Sequence, residues 1–127
     1  MILVVEDNAA MRQALVESLK ELNYQVLEAS NGRQALTMFE QHADEVSHDA
    51  DWIALVLSDV VMPGMGGIAL FYALRDKYPK IRIVLLTGHP MEDELKNLHV
   101  QGLSGWLLKP PDLEQLAEVV AQALREE

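Results

Sequence analysis

The sequence contains no cysteine. That excludes a disulfide framework and any thiolate-ligated metal site. It also lacks an unbroken run of about eighteen apolar residues, so no segment reads as a membrane-spanning helix and no membrane contact is expected. No secretory signal pattern precedes Ile2. Basic residues are few: ten Lys and Arg stand against twenty Asp and Glu, a formal net charge of −10 at pH 7. Phosphate backbones are gripped by basic surfaces, so nucleic-acid binding by this chain alone is disfavoured. Most of the acidity reads as solubility, with a few carboxylates left to hold a cation. These absences fit a cytoplasmic location, and 127 residues suit one domain spanning 1–127.

What is present is a core and a rhythm. Half of the residues are apolar. The runs Ile2–Val5, Val26–Ala29, Trp52–Ser58, Arg82–Thr87 and Gly105–Lys109 are continuous rather than alternating. Such runs predict strands covered on both faces, as in a parallel sheet. Helical spacing fills the gaps: Met11, Leu15, Leu19 and Leu22; then Ala35, Leu36 and Phe39 after Asn31 and Gly32. Gly67–Tyr78 carries Leu70, Phe71 and Leu74 and is stopped by Pro79. Met91–Leu98 is a shorter helix, and a last one starts at Pro111 and carries Leu113, Leu116, Val120 and Leu124. Five strands alternating with five helices make an α/β fold with right-handed crossovers. The acidic segment Gln41–Asp51 reads as a long solvated loop, because the spacing of His42 and His48 matches no metal-ligand pattern.

The strand ends carry the chemistry. Glu6 and Asp7 follow the first strand, Asp59 the third, Thr87 closes the fourth, and Lys109 the fifth. In an open parallel sheet these ends share one edge, where ligands bind. A carboxylate after an apolar run is costly to desolvate unless something binds it. Clustered acids repel unless a cation offsets them, and Mg²⁺ commonly joins carboxylates to phosphate oxygens. One carboxylate oxygen could then attack phosphorus, with an ammonium and a hydroxyl to meet the developing charge. Simpler roles stay open: Glu6 and Asp7 as acids at a helix start capped by Asn8, and Thr87 as an ordinary strand residue.

Four pieces, "VVEDN" (Val4–Asn8), "LSDVVMPGMGG" (Leu57–Gly67), "LLTGH" (Leu85–His89) and "LLKPP" (Leu107–Pro111), each stand at a strand end. With them the chain resembles the receiver domain of two-component response regulators over essentially its whole length. The resemblance implies a flavodoxin-like doubly wound (βα)5 fold with strand order 2-1-3-4-5. It implies that Asp59 accepts a phosphoryl group from a phosphohistidine on a histidine kinase or histidine phosphotransfer protein. It places Mg²⁺ on Asp7, Asp59, the backbone carbonyl of Val61 and, directly or through water, Glu6. Lys109 pairs with the acids and then with the phosphoryl group. Thr87 moves on activation, and Trp106 falls at the switch aromatic; it reads equally well as a core residue. The Lys109–Pro110 bond is implied to be cis.

Gly88, Gly66 and Pro111 depart from the family's commoner Ala, Asp and Phe, and His89 lies where water access to the phosphoryl group is set. Met62, Met65 and Met91 read as loop and helix filling, and His42, His48 and His99 as solvated. Two other functions compete: a metal-dependent phosphatase or phosphotransferase with an aspartyl-phosphate intermediate, and an interaction module that is not phosphorylated. The first usually needs an acid two residues after the nucleophile, where Val61 stands; the full set Asp7, Asp59, Thr87 and Lys109 speaks against the second. The chain reads as a free-standing receiver or one cut from a hybrid histidine kinase, with a homodimer left open.

Overall fold

The computed structural model describes residues 1–45 and 53–125. Strands and helices alternate: β1 (Ile2–Val5), α1 (Ala9–Glu21), β2 (Val26–Ala29), α2 (Gly32–Glu45), β3 (Leu55–Asp59), α3 (Gly67–Lys77), β4 (Ile83–Thr87), α4 (Glu92–Val100), β5 (Gly105–Leu108) and α5 (Leu113–Arg125). The strands form one parallel sheet in the order β2-β1-β3-β4-β5. This is the α/β architecture that the sequence pattern predicts, in the strand order that the resemblance implies.

Every residue of β1, β3 and β4 is buried. Their continuous apolarity has a plain cause, since each side of the sheet has its own helical layer. Leu3, Val5, Val56, Ile83 and Leu85 face α2, α3 and α4 through Ala35, Phe39, Leu70, Leu74 and Leu95. Ile2, Val4, Leu55, Leu57, Val84 and Leu86 face α1 and α5 through Leu15, Leu19, Leu116 and Val120. Truncating a fully buried Leu in such a layer costs about 2–5 kcal/mol.

Side-chain caps set the helix limits. Asn8 Oδ1 accepts from the Met11 amide at 2.9 Å and opens α1, as the sequence suggests. Asn23, with φ of 71°, turns the chain out of that helix. Asn31 Oδ1 accepts from the Gln34 amide at 2.8 Å at the start of α2. At α5 the expected start, Pro111, is displaced to Leu113. Asp112 Oδ1 accepts from the Gln115 amide at 2.7 Å, and Gln115 Oε1 accepts from the Asp112 amide at 3.3 Å. This reciprocal pair fixes Asp112 as the cap, so Pro111 stays outside.

The segment read as a loop from Gln41 is corrected in its first part: α2 continues through Glu45, and Gln, Ala and Glu in that stretch are good helix formers. The rest of that segment, with His48, and the strand start placed at Trp52 lie outside the described residues; β3 begins at Leu55. The Lys109–Pro110 bond is cis, as the resemblance implies.

Candidate functional site

Register brings the strand ends together. Val5 lies beside Ser58, so Glu6 and Asp59 leave neighbouring strands at the same level. Thr87 lies beside Leu108, and its carbonyl accepts from the Lys109 amide at 2.8 Å. Lys109 therefore follows the sheet edge toward the acids. Its Nζ donates to Glu6 Oε1 at 3.1 Å and to Asp59 Oδ2 at 2.5 Å. Carboxylate oxygens of Glu6, Asp7 and Asp59 lie within 4.8 Å of one another.

These groups are in an unusual place for charges. Glu6 is 0 % exposed and Asp59 4 % exposed, whereas Asp7 opens to water. Burial pushes the Glu6 carboxyl above its ordinary range, and the hydrogen bond it donates to Asp7 when protonated and repulsion from Asp59 act the same way. The Asn8 amide, donating to Glu6 Oε2 at 3.2 Å, and Lys109 pull it back in part. For Lys109 burial opposes the ammonium, but the bonds to Asp59 and Glu6 outweigh it and raise its pKa.

Among the described residues Lys109 is the one cation paired with these acids. Three carboxylates against one ammonium, all oxygen donors and with Asp7 in contact with water, suit a hard divalent cation that keeps part of its hydration. Mg²⁺ fits that donor set.

The loop after β3 folds over the Asp59 carboxylate, which stays buried. The Val61 amide donates to Asp59 Oδ1 at 3.3 Å, and Val61 itself is 70 % exposed at the rim. Gly66 and Gly67 let the loop fold back tightly. A Cβ at Gly67 would stand 2.4 Å from the Asp59 carbonyl oxygen, and one at Gly66 would stand 2.6 Å from that of Val60. Any side chain at Gly66 would force this loop to shift.

Thr87 and Trp106 belong to the neighbourhood but face elsewhere. The Thr87 hydroxyl donates to the His89 carbonyl at 2.9 Å, accepts from the His89 amide at 3.2 Å, and lies 3.5 Å from Met91 Sδ. Trp106 packs partly into the layer beneath α4, with its ring edge-on to His99 at 6.1 Å. His99 is not merely solvated: its Nδ1 is 2.7 Å from the Leu103 carbonyl, so it carries the proton of that bond.

Sequence reasoning missed two contributors. Arg12 Nη1 donates to the Glu6 carbonyl at 2.8 Å and Nε to Glu28 Oε1 at 3.3 Å, tying α1 and β2 to the turn that carries Glu6 and Asp7. Nothing in its spacing announces this, because the contact joins three elements. Met91 is the other, and only the turn after Thr87 brings it close. A cavity of about 510 Å³ lined by Ile53, Tyr78, Ile81 and Arg82 lies at the opposite edge of the sheet, away from these groups.

Comparison with known proteins identifies the family. The family model described as the response regulator receiver domain matches residues 2–121. The chain is 36 % identical over 126 residues to the sensor kinase CckA of Brucella abortus, covering 99 % of this chain but 13 % of that protein. It thus spans a small part of the curated relatives it matches. The crystal structure of the receiver domain from the hybrid histidine kinase CckA superposes with a TM-score of 0.76 at 33 % identity, covering 98 % of each chain. The response regulator TrrA of Thermotoga maritima, solved in complex with Mg²⁺ and BeF, gives a TM-score of 0.77 at 30 % identity, covering 96 % of each chain.

Proposed function

The chain belongs to the response regulator receiver domain family, the phosphoacceptor domains of two-component systems, and from that premise we propose that Asp59 is its phosphoacceptor and that residues 1–127 act as one receiver domain. The donor is a phosphohistidine of a histidine kinase or histidine phosphotransfer protein. One Asp59 carboxylate oxygen forms the new bond to phosphorus while the bond from phosphorus to the donor's imidazole nitrogen breaks. The imidazole leaves with the electron pair and takes up a proton from water. Mg²⁺ held by Asp7, Asp59, the Val61 carbonyl and Glu6 supplies positive charge to the phosphoryl oxygens when bound.

The other tasks fall to the chain's own side chains. Lys109 already sits on Asp59 Oδ2 and can follow the negative charge onto the transferred group, since its stem reaches across from the end of β5, two strands away. The Val61 amide orients the other Asp59 oxygen. Arg12 steadies the turn that presents Glu6 and Asp7. Thr87 can leave its own loop and donate to a phosphoryl oxygen, and that movement carries the signal toward α4 and Trp106.

The observation that carries this reading is Lys109 bridging Asp59 and Glu6, with Asp7 open to water beside them. Incubation with acetyl phosphate and Mg²⁺, followed by intact-mass measurement, tests it. One phosphoryl group per chain is expected, and none on Asp59→Asn. Labelling that persists in Asp59→Asn, or many turnovers of a phosphate ester per chain, would overturn it.

A further inference from the structure

We propose that Met91 is a positioning residue for Thr87: its thioether helps hold the hydroxyl away from Asp59, so Met91 tunes how readily Thr87 engages a bound phosphoryl group. The inference rests on the receiver reading above and adds a residue to it.

Thr87 is 2 % exposed, so its hydroxyl must find its partners inside the protein. A hydroxyl has one proton to donate. Two acceptors compete for it, the His89 carbonyl at 2.9 Å and Met91 Sδ at 3.5 Å. Both belong to the segment that leads into α4, and the His89 amide donates back to the same oxygen at 3.2 Å. The resting hydroxyl is therefore satisfied in more than one orientation, and all of them point along its own loop. Turning toward a phosphoryl group on Asp59 forfeits both acceptors at once.

Thioether sulfur is a weak, polarisable acceptor, so it biases this equilibrium without locking it. Met91 is also well placed to exert that bias. It is partly buried against the core layer beneath α4, and its carbonyl accepts from the Leu95 amide at 3.0 Å in the first turn of that helix. Sulfur, core packing and helix start are joined in one residue, so Thr87 cannot leave without changing the surroundings of the α4 N-terminus. Leu at this position fills nearly the same space and offers no acceptor. Gln keeps the length and offers a stronger one.

The test is titration with beryllofluoride in the presence of Mg²⁺, read by calorimetry, on the whole chain. Met91→Leu should bind about threefold more tightly than the unchanged protein, because one resting acceptor is gone. Met91→Gln should return the affinity to the starting value or below it. In a Thr87→Val background, Met91→Leu should have no effect, since no hydroxyl remains to be held; a change in packing alone would persist there. Equal affinities for the unchanged protein and Met91→Leu, or tightening that survives in Thr87→Val, would overturn the role of Met91 and leave the receiver reading intact. An unchanged protein that binds no beryllofluoride would bring down both.

Discussion

Lys109 already touches acids from two other strand ends, whereas Thr87, on a strand end beside it, gives its hydroxyl to its own loop. Both residues have their backbones tied together, through the Thr87 carbonyl and the Lys109 amide. Their side chains nevertheless behave differently. The difference follows from charge. Two buried carboxylates left without a counter-charge are expensive, so an ammonium has to be in place before any ligand arrives. A hydroxyl needs only a hydrogen-bond partner, and a nearby carbonyl serves as well as a phosphoryl oxygen. The charged half of the site is therefore preorganised, while the neutral half is free to act as the moving part.

Removing the carboxylate of Asp59, the proposed phosphoacceptor, breaks the charged half most completely. Asp59→Asn should abolish labelling by a phosphodonor. The same change should alter unfolding free energy by only about 1 kcal/mol, because Lys109 keeps its bond to Glu6 at 3.1 Å. Urea unfolding without Mg²⁺ checks the second part. A large loss of stability would mean that Asp59 is a structural member of the pair rather than the reacting one.

Lys109→Ala comes next. It leaves Glu6 and Asp59 buried without their cation, which should cost about 3 kcal/mol in the absence of metal. Labelling should fall about 10²-fold. Added Mg²⁺ should recover part of the stability. The pH dependence has a definite sign. The folded pKa of Lys109 is raised above its ordinary 10.5, so its contribution is full below that value and is lost as pH rises through the raised one. That alkaline loss should vanish in Lys109→Ala. Glu6 is raised above its ordinary 4.5, so across the interval from 4.5 to the raised value the folded chain holds more protons than the unfolded one. Stability should fall as pH climbs through that interval, and Glu6→Gln should flatten the slope.

The same division explains what could be read from the sequence. The strand runs and the acids after β1 and β3 stand out, because a buried strand needs continuous apolarity and a carboxylate at its end breaks the pattern. Lys109 is found for the same reason. The start of α5 was misjudged because Pro111 is a permitted first-turn residue, and only the Asp112–Gln115 pair decides against it. Arg12 and Met91 were invisible as contributors. Their roles depend on which atoms face each other across a turn or between elements, and residue type and spacing do not carry that information. The direction in which Thr87 points is lost to the sequence on the same grounds.

The smallest effect is expected at Trp106, and it sharpens the comparison most finely. Its ring meets His99 on α4, and it packs beneath that helix. The other end of α4 begins at Met91, which touches Thr87. Binding of Mg²⁺ alone engages the carboxylates and need not move Thr87. In a Trp52→Phe background, Mg²⁺ should therefore leave the emission of Trp106 nearly unchanged, whereas Mg²⁺ with beryllofluoride should shift it. Trp106→Phe should label within about twofold of the unchanged protein, because its ring packs beneath α4 and touches none of the acids, Lys109 or Thr87 in the contacts described. If the metal by itself produced the full emission change, Thr87 would not be the gate between the two halves, and the acids would communicate with α4 by another route.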